Sequence, residues 1–365
     1  MKIEQCSFRC EDKFSLLNGE SIEGFELVYE TYGELNAEKN NAVLVCHAFS
    51  GSHHAAGVDP TTDKPGWWHE FIGPGKAIDT DKYFVVSPNN LGSCYGSTGP
   101  LTVNNVSGKP YGSSFPALDV YDWVASQDLL RENLGVKAWE MVLGGSLGGM
   151  QALEWSISFP GKIKKAGIIA ATALVSSQNI ALNQVAREII RKDIAFENGD
   201  YLLANKKPKD GLKVARMLGH ITYLSETNFK NRFGRKLQDA ENKIDENIDF
   251  EVENYLRYQG EKFSEYFDAN SYILLTKIMD TFNPAARFNN NIVEALKNCI
   301  AKLLILSFDD DWLFPTQYSK ELHLAAIKAG VHSSFIELSG QHGHDSFLFT
   351  SDDYTSAISN FLNHA

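Results

Sequence analysis

The sequence predicts an α/β protein: a mainly parallel sheet flanked by helices, with a helical block inserted into it. Three observations carry that prediction. Short apolar runs alternate with segments of helical period through residue 171, the pattern of strand–helix–strand units. Glu140-Met-Val-Leu-Gly-Gly-Ser-Leu-Gly-Gly-Met150 reads as the end of a buried strand, a tight turn centred on Ser146 and the start of a helix. Residues 178–297 are polar, helical in period and poor in strand-like runs, and strand signals return after them. The expected division is 1–174 for the first part of the core, 175–297 for a helical lid and 298–365 for the second part of the core.

Taken in order, Phe8 to Tyr32 alternate and carry the turn signals Asn18-Gly19 and Glu23-Gly24, so they read as antiparallel strands. Ala42 to Cys46 is a continuous apolar run, as expected for a strand covered on both faces. His47-Ala-Phe-Ser-Gly51 follows directly. Where a strand–turn–helix elbow presents a nucleophile, the loop after this strand supplies one oxyanion-binding N–H and the residue after the nucleophile the other. Those amides belong here to Phe49 and Leu147. His53 and His54 are adjacent, with no carboxylate or Cys at ligand spacing, so a solvated or pocket-lining loop is expected rather than a metal site. Gly73-Pro-Gly-Lys76 is not a phosphate loop: position 70 is Glu, and Lys76 is followed by Ala. Tyr83 to Val86 is a further strand, and Asn89 to Pro100 a Gly/Ser/Asn-rich loop of the kind that lines active sites. A helix is expected over Leu118 to Leu134, and strands over Ile163 to Ala171, Lys302 to Ser307 and Ser334 to Leu338. Helices follow at Ser319 to Ala329 and Asp352 to Leu362, while Ile180 to Ile194 and Val252 to Phe263 are amphipathic. The acidic run from Asp239 to Glu253 reads as a solvated face.

Composition narrows the function classes. Over 365 residues, 43% hydrophobic and 22% charged content is that of an ordinary globular protein. A net charge of −12 argues against nucleic acid or an anionic membrane as partner. The longest weakly apolar run, Ala166 to Val175, is too short to span a bilayer. Five cysteines without a C-x-x-C pair suggest reduced thiols. Met1 to Cys6 run into charged residues with no apolar stretch, so no signal peptide is expected and the protein reads as cytoplasmic.

The chemistry gathers around Ser146. Gly144-Gly145-Ser146-Leu147-Gly148 fits G-x-S-x-G, and a serine alcohol needs a general base oriented by a carboxylate. The expected chain order is Ser, acid, His, each on a loop after a strand. Asp309, Asp310 and Asp311 follow one strand, and His342 and His344 follow the next. Order and placement match, while the residues alone leave the choice among the three Asp and between the two His open.

The chain resembles the homoserine O-acyltransferases of methionine biosynthesis, in the α/β-hydrolase superfamily. The resemblance rests on Cys46 to Gly57, Gly66-Trp-Trp, Gly73 to Thr80, Asn90 to Pro100 and Gly144 to Gln151. It continues in the helical block with Phe250 to Gly260 and Phe267 to Tyr272, and ends at Gly343 to Leu348. It implies the α/β-hydrolase fold, with Ser146 as nucleophile, Asp311 as acid and His344 as base. It further implies acyl-CoA as co-substrate with no bound cofactor, a ping-pong reaction through an acyl-serine, and a homodimer joined through the lid. Arg216 matches the residue that binds the carboxylate of L-homoserine, and Asp345 the one that meets its amine; a salt bridge within the lid is the alternative for Arg216. Lys206, Lys207, Lys209 and Lys213 read as a solvated basic face rather than a CoA phosphate site. Family members divide between acetyl-CoA and succinyl-CoA, and many succinyl users carry Arg at the second position after the catalytic Asp. That position is Leu313 here, which cannot compensate a carboxylate, so acetyl-CoA is favoured. His220 to Ser225, by contrast, resembles the branch in which succinyl users occur. Homoserine O-succinyltransfer, serine O-acyltransfer, ester hydrolysis and a non-catalytic binding module are the competing functions.

Overall fold

The structure is a computed structural model in which residues 1–60, 62–238 and 250–364 are described. Most of the acidic run expected to be a solvated face, residues 239–249, lies outside the described residues. Its last members, Glu251 and Glu253, open a helix.

Among the described residues, eight strands form the central sheet: β1 (Ile3–Ser15), β2 (Ser21–Tyr32), β3 (Ala42–Cys46), β4 (Phe84–Pro88), β5 (Met141–Gly145), β6 (Lys165–Ile169), β7 (Lys302–Phe308) and β8 (Ser333–Leu338). Their spatial order is β1-β2-β4-β3-β5-β6-β7-β8. β2 runs antiparallel to β1 and to β4. Every pairing from β4 across to β8 is parallel. Asn18-Gly19 marks the β1–β2 connection, as expected. Glu23-Gly24 does not turn the chain: Gly24 lies inside β2 at φ +75°, where the register with β1 slips between Cys10 and Lys13. A Cβ there would meet the Cys10 carbonyl at 2.9 Å, so the bulge takes glycine.

The continuous apolar strands serve two cores. In β3, Ala42, Leu44 and Cys46 enter one cluster and Val43 and Val45 the other. In β7, Leu303 and Ile305 face the first, while Leu304, Leu306 and Phe308 face the second. A period of two with apolar residues at every position is what a sheet covered on both faces requires. The first cluster is covered by α1 (Val120–Leu134) and α2 (Leu147–Ser158), the second by α10 (Asp352–His364). Asp119 caps α1: its side chain accepts from Tyr121 N at 2.9 Å, and Asp122 accepts in return from Asp119 N at 2.8 Å.

Between β6 and β7 lie α3 (Ser177–Lys192), α4 (Lys209–Tyr223), α5 (Glu226–Arg232), α6 (Glu251–Tyr266), α7 (Ala269–Thr281) and the short α8 (Ile292–Leu296). These helices lie in the stretch where the sequence texture changes. α9 (Thr316–Lys328) connects β7 to β8. Among the described residues, no helix is long and apolar enough to cross a membrane.

Candidate active site

The site is built at the carboxyl ends of the parallel strands, where ligands bind in open α/β sheets. Ser146 follows β5 directly and begins the turn into α2 at φ 56°, ψ −124°, a conformation an L-residue rarely adopts. Its neighbours explain how the strain is held. A Cβ on Gly144 or Gly148 would overlap the Cys46 carbonyl, and one on Gly145 would overlap the Phe347 ring. On Gly149 it would come within 2.7 Å of the Ala171 Cβ. The turn is thus wedged between β3, β6 and the loop after β8. Ser146 N donates to Ile169 O at 2.9 Å, fixing the turn from the neighbouring strand.

His344 Nε2 lies 2.8 Å from Ser146 Oγ, and His344 Nδ1 lies 2.7 Å from Asp311 Oδ2. All three residues are buried. Asp311 is oriented by its other oxygen, which accepts from Leu313 N at 3.0 Å and Phe314 N at 2.9 Å. Burial opposes charge on His344 most strongly, but the charge and hydrogen bond of Asp311 with the charge of Asp345 outweigh it, and the pKa is raised from 6.5.

The candidates that the sequence leaves open differ in what they contact. Asp309 Oδ1 accepts from Gly340 N at 2.7 Å and Asp310 Oδ2 from Gly343 N at 2.8 Å, so both shape the loop that carries His344. The His342 ring packs on Phe349 with centroids 4.2 Å apart, and its Nδ1 sits 3.3 Å from Asn228 Nδ2. Only Asp311 and His344 converge on Ser146.

Ser146 opens into a cavity of about 200 Å³ roofed by α3, α4 and α7. Phe49 lines it, its ring edge-on to Tyr272 at 4.9 Å, which pins the loop after β3 to α7. Leu147 is the first residue of α2, so its N–H points out of the helix N-terminus beside Ser146. Arg216 enters from α4: its guanidinium lies 4.6 Å from the Phe263 ring centre and 5.3 Å from that of Tyr223, with Nη1 3.4 Å from Ser50 Oγ. Among the described residues no carboxylate lies within ion-pair distance of Arg216. Asp345 lines the same cavity; burial, the largest influence, pushes its pKa up to about 6 against the opposing charges of His344 and Arg216. Leu313 is also in the wall, and its carbonyl accepts from Asn179 Nδ2 at 2.9 Å.

Other expectations resolve differently. His53 and His54 are half-buried and do not line the cavity. His54 Nδ1 instead pairs with Glu30 of β2 at 3.0 Å, a partner brought in by the sheet and invisible to spacing. Three of the four lysines pair with glutamates, Lys206 with Glu197, Lys209 with Glu265 at 2.7 Å and Lys213 with Glu261, while Lys207 donates to the Glu265 backbone carbonyl. Sequence reasoning misses Tyr223, which lines the cavity; the available signal is its position seven residues after Arg216, on the same face of α4. Among the described residues, no group of three or more His, Cys, Asp or Glu side chains is placed to hold a metal ion.

A family profile described as the alpha/beta hydrolase fold matches residues 41–349. The homoserine O-succinyltransferase of Neisseria gonorrhoeae is 49% identical over 349 residues, 95% of this chain and 92% of its own. That of Halothiobacillus neapolitanus is 49% identical over 361 residues, 99% of this chain and 90% of its own. Among solved structures, the homoserine O-acetyltransferase from Bacillus anthracis is similar with a TM-score of 0.92 at 28% identity, covering 100% of this chain and 98% of that one. An esterase is similar with a TM-score of 0.90 at 30% identity, covering 99% of this chain and 100% of its own. With this likeness across nearly its whole length, the chain belongs to the homoserine O-acyltransferase family of the α/β-hydrolase superfamily.

Proposed function

We propose that the protein transfers the acyl group of acetyl-CoA to the hydroxyl of L-homoserine, through an acyl-Ser146 intermediate, as a step of methionine biosynthesis. The observation that carries this reading is Arg216, a cation without a carboxylate partner among the described residues, in the same cavity as Asp345 and the Ser146–His344–Asp311 array. Homoserine is a zwitterion: its carboxylate suits Arg216 and its ammonium suits Asp345. His344 Nε2 takes the Ser146 proton as Oγ attacks the thioester carbonyl. The Phe49 and Leu147 N–H groups hold the oxyanion, and the proton leaves with the CoA thiol. His344 then deprotonates the homoserine hydroxyl, which takes the acyl group from Ser146, and the proton returns to Oγ. The helical block over the cavity acts as a lid that keeps water from competing in the second step.

The choice of acetyl-CoA rests on the cavity wall. Among the described residues that line it, Arg216 is the one Lys or Arg, and Leu313 offers no charge to a succinyl carboxylate. The names of the curated relatives favour succinyl-CoA as the second reading. Thiol release from each donor, with and without homoserine, tests both readings. Without homoserine at most one CoA per enzyme is expected, and continued turnover of acetyl-CoA only with homoserine; multiple turnovers with no acceptor would make the protein a hydrolase. The Leu313→Arg variant is expected to shift kcat/KM toward succinyl-CoA by about tenfold, the scale of one added charge-assisted contact. An unchanged ratio would remove Leu313 from donor selection. The cytoplasmic placement and a homodimer joined through the helical block belong to the same proposal; exposed Val185 on α3 and Val214 on α4 support the latter.

A further inference from the structure

One side chain joins the two backbone segments that would hold the oxyanion. Gln151 is fully buried on α2, and its Nε2 donates to the His47 carbonyl and to the Leu147 carbonyl, each at 3.3 Å. Leu147 carries one proposed oxyanion amide, and His47 stands two residues before Phe49, which carries the other. The Leu147 carbonyl begins a helix, where the backbone ladder already supplies a partner, so the second bond adds position rather than satisfaction.

The bridge is braced from below. Gln151 Oε1 accepts from Gln127 Nε2 at 2.7 Å, and that same nitrogen lies 3.1 Å from Asn90 Oδ1. Gln127 Oε1 accepts from Trp155 Nε1 at 2.8 Å. Asn90 N donates to His47 Nε2 at 3.0 Å, which leaves the ring proton on Nδ1 to donate to Ala48 O at 2.8 Å. Burial lowers the His47 pKa to about 4, so the ring stays neutral and keeps both bonds. The ring of contacts closes on itself: His47, Asn90, Gln127, Gln151 and back to His47. Every member is buried; Asn90 Nδ2 has no partner among the described residues, while the other bonds of the ring are made and restrict its arrangement.

We propose that Gln151 is a positioning residue that sets the spacing and direction of the Phe49 and Leu147 amides, and so the shape of the oxyanion hole. The proposal rests on Ser146 as nucleophile and on those amides as the oxyanion donors. The experiment compares wild type, Gln151→Met and Gln151→Glu in steady-state turnover and in the rate at which a fluorophosphonate labels Ser146. That labelling passes through the same oxyanion geometry without needing homoserine. Misplaced groups around a reacting centre cost up to about a hundredfold, so both variants are expected to lose about ten- to a hundredfold in kcat and in labelling rate together. KM for homoserine should stay within about twofold, because no ground-state contact to the acceptor is removed. A folded Gln151→Met enzyme with wild-type kcat and labelling, or one that only melts earlier, would overturn the proposal. Should Gln151→Met not fold, Gln151→Glu, which keeps the shape and lacks the amide protons, decides by the same two rates: a joint loss supports the proposal, and wild-type values overturn it. Failure of the underlying reading is separately visible: wild type would then go unlabelled at Ser146.

Discussion

At the scale of single residues, the site is a set of charges placed against their solvation. Asp311 is held by two backbone amides and gives its second oxygen to His344, so the imidazole is fixed in the tautomer that presents Nε2 to Ser146. As the proposed base, His344 would work only as neutral imidazole, and its pKa is raised from 6.5 by the carboxylates around it. The acid limb of kcat/KM is therefore expected to have its midpoint above 6.5, with activity lost as pH falls through it. In Asp311→Asn the charge that raises His344 is gone. The midpoint should move down and kcat should fall about 10⁴-fold, as when a triad histidine is turned to the wrong tautomer. An acid limb that does not move would mean that another group titrates there. Arg216 offers a different signature. Arg216→Lys keeps the charge and loses the fork, so KM for homoserine should rise about tenfold while kcat changes little. An equal loss for all acceptors and in kcat alone would place Arg216 outside the acceptor site.

At the scale of elements, the elbow depends on what lies beside it. Strand β5 ends in Gly144-Gly145 because β3 and Phe347 occupy the space a side chain would need. α2 can start at once because Gly148 passes against the Cys46 carbonyl. Cys46 ends β3, the strand whose following loop carries Phe49, so the close packing that strains Ser146 also brings Phe49 to it. Gly148→Ala is expected to cost about 3 kcal/mol or more, the upper end for overpacking a core, because a backbone carbonyl cannot turn aside. Urea unfolding checks this, and a midpoint like that of wild type would show that the turn has slack.

At the scale of the whole molecule, the sheet order brings residues distant in sequence to one edge of the strands, with α3, α4 and α7 closing over them. Much of this architecture is legible in the sequence. The strands that lie between two helical layers show as unbroken apolar runs, and the elbow shows because few turns require glycine on both sides of a serine between a strand and a helix. The texture change after residue 174 marks the inserted helices because amphipathic period and apolar alternation differ in kind. What stays hidden depends on partners from elsewhere in the chain. Gly24 is a bulge and not a turn because β1 lies opposite it. Nothing local separates Asp311 from Asp309 and Asp310; the difference is which of them the loop turns toward His344. Gln151 looks like any polar helix residue until the loop after β3 is laid beside it.

The central claim is that the acyl group rests on Ser146 between donor and acceptor. The most direct test mixes the protein with acetyl-CoA in the absence of homoserine and maps the acyl group by mass spectrometry of its peptides. The account predicts one acetyl group on Ser146, lost on adding homoserine as O-acetylhomoserine forms, and absent in Ser146→Ala. An enzyme that stays unmodified until homoserine is present, yet forms product with Ser146 replaced, would contradict it.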